Sequence, residues 1–379
     1  MAPTSVKRPH PFAFAALTAI LALAYDSMFV QFARNGYLEY LVSVLGDDGT
    51  VKYIPGTTDP IRRHYLGIPI IDNFLTMANV FFVHTVDGSD PASSLFTFQL
   101  AAQIIPIMAI LFLEESRVGA GLARRIFCGA VLWGLAMQAR GFGLVINVYA
   151  MLMLALPRPA SLQDMVLLSD PAYFDGIIPA FFLGYIVLCG LMAYRFESGD
   201  ALQIANAVWQ GFPLHMGAWL SLFYYLKKHT SIGLSMAKSS KEATGAALDH
   251  VYGFALTAGA VGQCTTYLVI LVASVAPDVF PAGVADSLTA EKVLLPPPPH
   301  TTDKMESPAA AILHNLMYDE LCGALALTVY ALTTMHQVGL SALSVERLGG
   351  MALDWVTYGP VGAVAKALKQ RDEYILAKI

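Results

Sequence analysis

The pattern of apolar and polar positions divides the chain into long apolar runs separated by polar connections. Eight runs are about as long as an α-helix must be to cross a bilayer, which is roughly 17–25 residues. They cover residues 12–33, 68–86, 94–114, 124–154, 174–195, 204–226, 250–276 and 313–340. We therefore predict an all-α, polytopic integral membrane helix bundle with about eight transmembrane helices.

The fourth run, 124–154, is longer than a single straight span. At about 1.5 Å per residue it would form a helix of about 46 Å, whereas the hydrocarbon core is about 30 Å thick. Two spans would need about 36 residues and a turn. The run therefore predicts one tilted or protruding helix, kinked near Gly141 and Gly143.

The end of the chain has a different pattern. Residues 345–379 combine short apolar stretches with lysines, which is typical of a helix lying on the membrane surface. We predict a bundle domain at 1–344 and an interfacial tail at 345–379. With eight spans both termini share a side, and the lysines there predict that this side is cytosolic.

Composition agrees with a membrane protein and narrows its partners. Of the 379 residues, 56% are apolar and 13% are charged, whereas soluble proteins carry about 25% charged residues. Lipid must therefore cover part of the surface, and membrane lipid is a predicted partner. A net charge of −5 gives no reason to predict nucleic-acid binding.

Ionisable groups inside apolar runs are costly, so each one is a functional hypothesis. The acidic candidates are Asp26, Asp72, Glu114 with its neighbour Glu115, and Asp319 with Glu320. Threading eight spans places all of them on the leaflet opposite the termini. If 124–154 formed two spans, Asp319 and Glu320 would move to the other leaflet. Helix packing, capping and headgroup-level positions remain alternatives for these carboxyl groups.

Two further residues could position a substrate. Arg140 lies within the fourth run, where it either pairs with a buried carboxylate or ligand oxygen or reaches the interface through a kink. His215 either carries a proton or forms a packing hydrogen bond. Both are candidates for the site, with Glu114 as a third positioning candidate.

The absence of known motifs restricts the chemistry. The sequence has no Walker A loop, no His-Glu-x-x-His, no Gly-x-Ser-x-Gly and no Asp-Asp-x-x-Asp or Asn-Asp-x-x-Asp pattern. We therefore predict no metal site and no cofactor.

A carboxyl group in an apolar site can stay protonated and donate its proton to an alkene or an epoxide. Aromatic faces can then stabilise the cation. This permits an acid-initiated isoprenoid cyclase, although a proton-coupled transporter also buries carboxylates.

Three short segments resemble a known family. They are Tyr53-Ile54-Pro55-Gly56-Thr57-Thr58-Asp59-Pro60 with the following Arg63-His64-Tyr65, Gly67-Ile68 and Asp72; Val86-Asp87-Gly88-Ser89-Asp90-Pro91; and Leu113-Glu114-Glu115-Ser116-Arg117. The chain resembles the fungal membrane-bound terpene cyclases of the ascochlorin, ascofuranone and macrophorin pathways, most strongly over residues 50–120.

The resemblance implies a reaction and a location. Such enzymes cyclise the farnesyl tail of a polyketide-derived phenol or epoxycyclohexenone, from a terminal epoxide or an alkene, without a metal. It also implies secondary metabolism, the endoplasmic reticulum membrane and other pathway enzymes as partners. The resulting hypothesis makes Asp319 or Glu320 the general acid and Asp26 or Asp72 its partner. A proton-coupled transporter of a secondary metabolite and a non-catalytic scaffold remain the alternatives.

Overall fold

The computed structural model describes residues 9, 11–45, 52–54, 57–119, 129–157, 159–230 and 240–379. Pro55 and Gly56 of the first family-like segment, and residues 124–128 of the fourth run, lie outside these ranges. In the described parts the regular structure is helical, and only isolated bridges such as Tyr53 with Pro60 occur besides. The α-helices are α1 (Pro11–Ala24), α2 (Gln31–Asn35), α3 (Tyr37–Leu45), α4 (Pro69–Val86), α5 (Pro91–Glu115), α6 (Ala130–Arg140), α7 (Phe142–Ala155), α8 (Leu162–Val166), α9 (Ile177–Phe181), α10 (Val187–Met192), α11 (Gly199–Gln210), α12 (Phe212–His229), α13 (Lys241–Val275), α14 (Ala290–Leu294), α15 (Pro308–Gln337) and α16 (Val345–Lys378). The π-helical segments Tyr25–Val30 and Phe182–Ile186 join α1 to α2 and α9 to α10.

The prediction of an all-α membrane bundle is confirmed. Among the described residues, five helical segments are long and apolar enough to cross a membrane by length and composition. They are Pro11–Asn35, Pro91–Glu115, Pro171–Met192, Lys241–Val275 and Pro308–Gln337. The predicted runs 68–86 and 204–226 correspond to α4 and to α11 with α12.

Helix α15 is the centre of the bundle. The most apolar window of α15 is 72% buried, whereas the corresponding window of α13 is 28% buried. It packs against α1, α4, α5, α7 and α16. Its start is well defined, because Ser307 accepts a hydrogen bond from the Ala310 N–H and Pro308 occupies the first helical position.

Helices α5 and α15 run parallel and define two ends of the bundle. Ser93 Oγ donates to the Ala309 carbonyl near the start of both helices. We call this the upper end, and the end where α5 and α15 finish the lower end. Helix α1 runs antiparallel to α15, because the Asn35 carbonyl accepts from the Met305 N–H at the upper end. Tyr374 lies beside Gly339 at the lower end, so the last described residues lie at the same end of the bundle as the start of α1.

Helices α6 and α7 form a hairpin that turns inside the bundle. The ring centroids of Trp133 and Tyr149 are 5.3 Å apart, although 16 residues of straight helix would separate them by about 24 Å. The chain reverses at Gly141, where φ is +85°. The prediction of a break near Gly141 is right, but the prediction of one tilted helix is wrong. We call α6 and α7 the first hairpin.

Helix α16 also folds back on itself. Gly359 has φ +77° and ψ 174° and is followed by Pro360. Asp354 and Lys366 form an ion pair of 2.6 Å across this break, whereas a straight helix would separate them by about 18 Å. We call residues 345–358 and 360–378 the two arms of the second hairpin.

The second hairpin differs from the predicted surface tail. Residues from Gly359 to Leu368 are largely buried, and Arg371 and Asp372 are 0% and 1% exposed. Helix α16 packs against α13 and α5, and in the arm 360–378, Asp372 accepts from Tyr252 of α13 and Arg371 pairs with Glu114 of α5. The small apolar residues of this arm allow close packing inside the bundle, and its charges find buried partners there.

Replacing Gly359 with alanine is expected to lower the free energy of unfolding by about 2 kcal/mol or more. The backbone angles of Gly359 lie in a region that essentially only glycine adopts, and a residue with a side chain pays about 1–3 kcal/mol there. The added Cβ would also overlap the side-chain amide of Gln103. Thermal unfolding of purified protein in detergent measures the effect. Gly349→Ala is the matched control, because Gly349 lies in the first arm of the same hairpin with open space around it. Equal unfolding temperatures for the two variants would contradict the strain argument.

Candidate functional site

Asp319 and Glu320 are both buried inside the bundle. They lie about 17 Å from the start of α15, and Asp319 and Glu320 are 8% and 6% exposed. Neighbouring positions on a helix point about 100° apart, yet both side chains are covered because α15 has partners on two sides. Asp319 faces α7 and Glu320 faces α5.

Asp319 binds the tip of the first hairpin. Its Oδ1 accepts a hydrogen bond of 2.7 Å from the Gly143 N–H in the first turn of α7. A carboxylate at a helix N-terminus is stabilised by the free N–H groups there. A Cβ at Gly141 would come within 2.6 Å of Asp319 Oδ1 and of Met28 Cε. Asp319 therefore holds the hairpin tip in place, and only glycine fits at the turn.

Glu320 has neutral amide neighbours. Its Oε1 accepts a hydrogen bond of 3.1 Å from Gln99 Nε2, and the same Nε2 donates to Gln263 Oε1 at 3.1 Å. Within the part of the chain that the structure describes, no ion pair includes Glu320. Glu320 is thus a buried carboxyl group without a cation partner.

Gln103, one helical turn after Gln99, binds the tip of the second hairpin. Its Oε1 accepts from the N–H groups of Val361 and Gly362 at 3.0 and 3.1 Å, and its Nε2 donates to the Tyr358 carbonyl at 3.1 Å. Both hairpin tips therefore reach the depth of the two acidic residues. We call the group consisting of Gln99, Gln103, Gln263, Asp319 and Glu320 the polar layer.

The three glutamines are not among the residues predicted from the sequence, because they carry no charge and the candidates were ionisable side chains within the apolar runs. Gln99 and Gln103 are four residues apart in the run 94–114, so they lie on one face of a helix. That pair of polar residues inside a span is a signal that could have found them.

Asp26 is not part of the polar layer. It forms an ion pair of 3.1 Å with Arg34, and both side chains are partly exposed. His300 Nδ1 lies 3.3 Å from Asp26 and 2.6 Å from Arg34. The predicted pairing of Asp26 with Asp319 or Glu320 differs from the structure, because Asp26 binds α2 and the connection before α15 instead.

Asp72 also has a local structural partner. Its Oδ1 accepts from the Leu66 and Tyr65 N–H groups at 2.8 and 3.2 Å, and its Oδ2 accepts from the Gly67 N–H at 3.1 Å. These bonds attach the preceding loop to the first turn of α4. Asp72 therefore anchors the loop before α4. It does not cap the helix, whose N-cap residue is Ile68, and these partners differ from the predicted partnership with the acidic pair.

Glu114 belongs to a separate buried ionic cluster. Its Oε1 lies 2.8 Å from Arg371 and 3.3 Å from Arg117. Arg117 also pairs with Asp372 at 2.6 Å, and Tyr330 donates to Glu114 Oε2 at 2.7 Å. We call Glu114, Arg117, Arg371 and Asp372 the ionic cluster; its formal charges balance.

The ionic cluster is distant from the polar layer. Tyr330 is ten residues, or about 15 Å, further along α15 than Glu320, so the predicted single leaflet of acidic groups does not include Glu114. A cavity of about 20 Å³ adjoins the cluster and is lined by Glu114, Arg117 and Tyr330 among others. It has room for about one water molecule. An isoprenoid chain does not fit there.

The two other positioning candidates lie at helix ends. Arg140 is exposed at the last residue of α6. His215 Nε2 lies 3.2 Å from the Val208 carbonyl at the bend between α11 and α12, which agrees with the packing alternative. In the described ranges, no group of three or more histidine, cysteine or acidic residues could hold a metal ion.

Comparisons with known proteins give the family of the chain. Terpene cyclase penA of Penicillium crustosum is 26% identical over 302 residues, which cover 78% of this chain and 76% of that protein. Terpene cyclase ascI of Acremonium egyptiacum is 25% identical over 347 residues, covering 88% and 86%. Terpene cyclase janA of Penicillium janthinellum is 28% identical over 222 residues, covering 56% and 59%. No solved structure matches the chain. The model of the CtvD domain matches residues 13–376, which include the polar layer and both hairpins, and the chain therefore belongs to the CtvD domain family.

Proposed function

We propose that the protein is a membrane-bound terpene cyclase of fungal secondary metabolism. The family match along residues 13–376 and the relatives named terpene cyclases support this proposal. Helices long and apolar enough to cross a membrane agree with a prenylated substrate that dissolves in lipid. The proposed substrate is a farnesylated phenol or epoxycyclohexenone, and the proposed location is the endoplasmic reticulum membrane, with other pathway enzymes nearby.

Glu320 is the proposed proton donor. Burying a charged carboxylate costs several kcal/mol unless a cation accompanies it. Glu114 has two arginine partners, and Asp319 binds a helix N-terminus. Among the described residues, the hydrogen bond that Glu320 accepts comes from a side-chain amide N–H. The neutral form, which carries a proton, therefore suits Glu320 best. This difference between the three carboxyl groups is the observation on which the assignment depends.

The proposed reaction conserves all atoms of the substrate. Glu320 gives its proton to the terminal epoxide oxygen, whose C–O bond opens, or to the terminal alkene carbon. The next double bond attacks the resulting carbocation and closes a ring. The last cation then loses a proton to a base, and return of that proton to Glu320 restores the acid. The product is an isomer of the substrate.

The proposal predicts cyclisation that is insensitive to a chelator. Microsomes containing the expressed protein are incubated with a farnesylated phenol, or with its terminal epoxide, in the presence of EDTA. We expect a new isomer of unchanged mass, identified by mass spectrometry and NMR. Loss of product on adding EDTA would contradict metal independence, and unchanged substrates across a series of headgroups would favour a transport function.

A further inference from the structure

We propose that Gln99 is a positioning residue that determines which oxygen of Glu320 carries the proton. This inference rests on the proposed function, because it assigns a role to the surroundings of the proposed acid. It adds a residue of α5 to a mechanism that otherwise involves only α15.

The geometry fixes the orientation of the Gln99 amide. Gln99 is 2% exposed, and its Nε2 lies 3.1 Å from two oxygens, Gln263 Oε1 and Glu320 Oε1. A side-chain amide nitrogen has two hydrogens and no acceptor site. Each hydrogen therefore has its own oxygen, and Gln263 holds the amide group so that it faces Glu320.

This orientation distinguishes the two oxygens of Glu320. An oxygen that accepts the Gln99 N–H serves as the carbonyl oxygen of the neutral acid, so the hydroxyl is Oε2. When the proton leaves Oε2, the carboxylate gains negative charge, and a hydrogen bond to a charged acceptor is about twice as strong as one between neutral groups. The Gln99 hydrogen bond therefore stabilises the Glu320 carboxylate more than the neutral carboxylic acid. This difference lowers the barrier for transfer of the proton from Glu320 to the substrate.

Gln99→Met tests this role in the full-length protein in microsomes. Methionine keeps the length and flexibility of the side chain but has no N–H donor. We expect kcat for cyclisation to fall roughly 10- to 100-fold, the effect of one hydrogen bond to a charged group. KM should be unchanged, because in the proposed role Gln99 acts through Glu320 and not through a contact with the substrate. Gln210→Met is the matched control, since Gln210 is also buried, donates to one side chain and has an unpartnered Oε1 in the described structure. We expect the control to keep wild-type kcat.

Infrared spectroscopy provides a readout that does not depend on turnover. The C=O stretch of a neutral Glu320 is identified by its loss in Glu320→Gln, and it should move to higher frequency in Gln99→Met because the carbonyl loses a hydrogen bond. Gln263→Met removes the oxygen that orients the Gln99 amide group, so it should move the band in the same direction. This variant replaces Gln99→Met in the experiment if Gln99→Met does not fold. If the band keeps its frequency in the folded variants, the proposed role of Gln99 is wrong, while Glu320 remains the proposed acid. A wild-type protein without this band overturns the proposed acid, and with it the inference.

Discussion

Glu320→Gln is expected to lower cyclisation by at least about 10²-fold while leaving the fold intact. Proton transfer by a positioned side chain contributes roughly 10²- to 10⁴-fold to an enzymatic rate, and glutamine has no acidic proton to give. The substitution preserves the size of the side chain, and glutamine retains an oxygen that can accept the Gln99 N–H. The measurement is product formed per amount of folded protein in microsomes, determined by mass spectrometry.

The controls for this experiment separate the acid from its neighbours. Glu373→Gln changes an exposed carboxyl group on α16 and should leave the rate unchanged. Asp319→Asn keeps an oxygen for the Gly143 N–H, so the first hairpin should stay in place. Full activity of Glu320→Gln, together with loss of activity in Asp319→Asn, would transfer the acid role to Asp319.

Arg371→Met is expected to destabilise the protein by about 3–5 kcal/mol. Arg371 is fully buried and lies 2.8 Å from both Glu114 and Asp372. Removing one member of a buried ion network leaves the remaining charges without compensation, which costs that much in other proteins. The unfolding temperature in detergent should fall markedly, and less folded protein should be recovered.

A double substitution tests whether charge balance is the cause. Arg371→Met with Glu114→Gln removes one positive and one negative charge, so the cluster remains formally neutral. Replacing both partners of a buried pair is often nearly neutral for stability. We expect the double variant to unfold at a higher temperature than Arg371→Met alone. An additive loss would show that packing of the guanidinium group, and not charge balance, determines stability here.

The apolar runs predicted helices well, but they could not predict how the chain reverses. Hydrophobicity along 124–154 is the same whether the helix continues or turns back, because both arms of the first hairpin are apolar. The turn depends on the backbone conformation of Gly141 and on its close contact with Asp319, which is 178 residues further along the chain. The second hairpin was missed for the same reason, although Gly359 and Pro360 mark its turn.

The candidate site could be predicted only in part. Asp319 and Glu320 stand out because ionisable residues are rare inside apolar helices. Their neighbours Gln99, Gln103 and Gln263 carry no charge, so a search for ionisable residues in the apolar runs does not find them. Glu114 looked like a headgroup-level charge because its partner Arg371 is 257 residues distant in the sequence. Tertiary contacts of this kind leave no local pattern.

The second hairpin has a consequence for how the protein is made. Residues 360–378 leave the ribosome after all the other described helices. Before these residues are synthesised, Gln103 cannot bind the backbone of the second hairpin. The ionic cluster then contains Glu114 and Arg117 but lacks Arg371 and Asp372. Each arm of the second hairpin is shorter than a typical transmembrane span. We therefore expect the hairpin to pack into a bundle whose longer helices are already in the membrane. Docking of this hairpin therefore follows synthesis of the preceding described helices, and before it docks, Glu114 and Arg117 lack the charge partners Arg371 and Asp372.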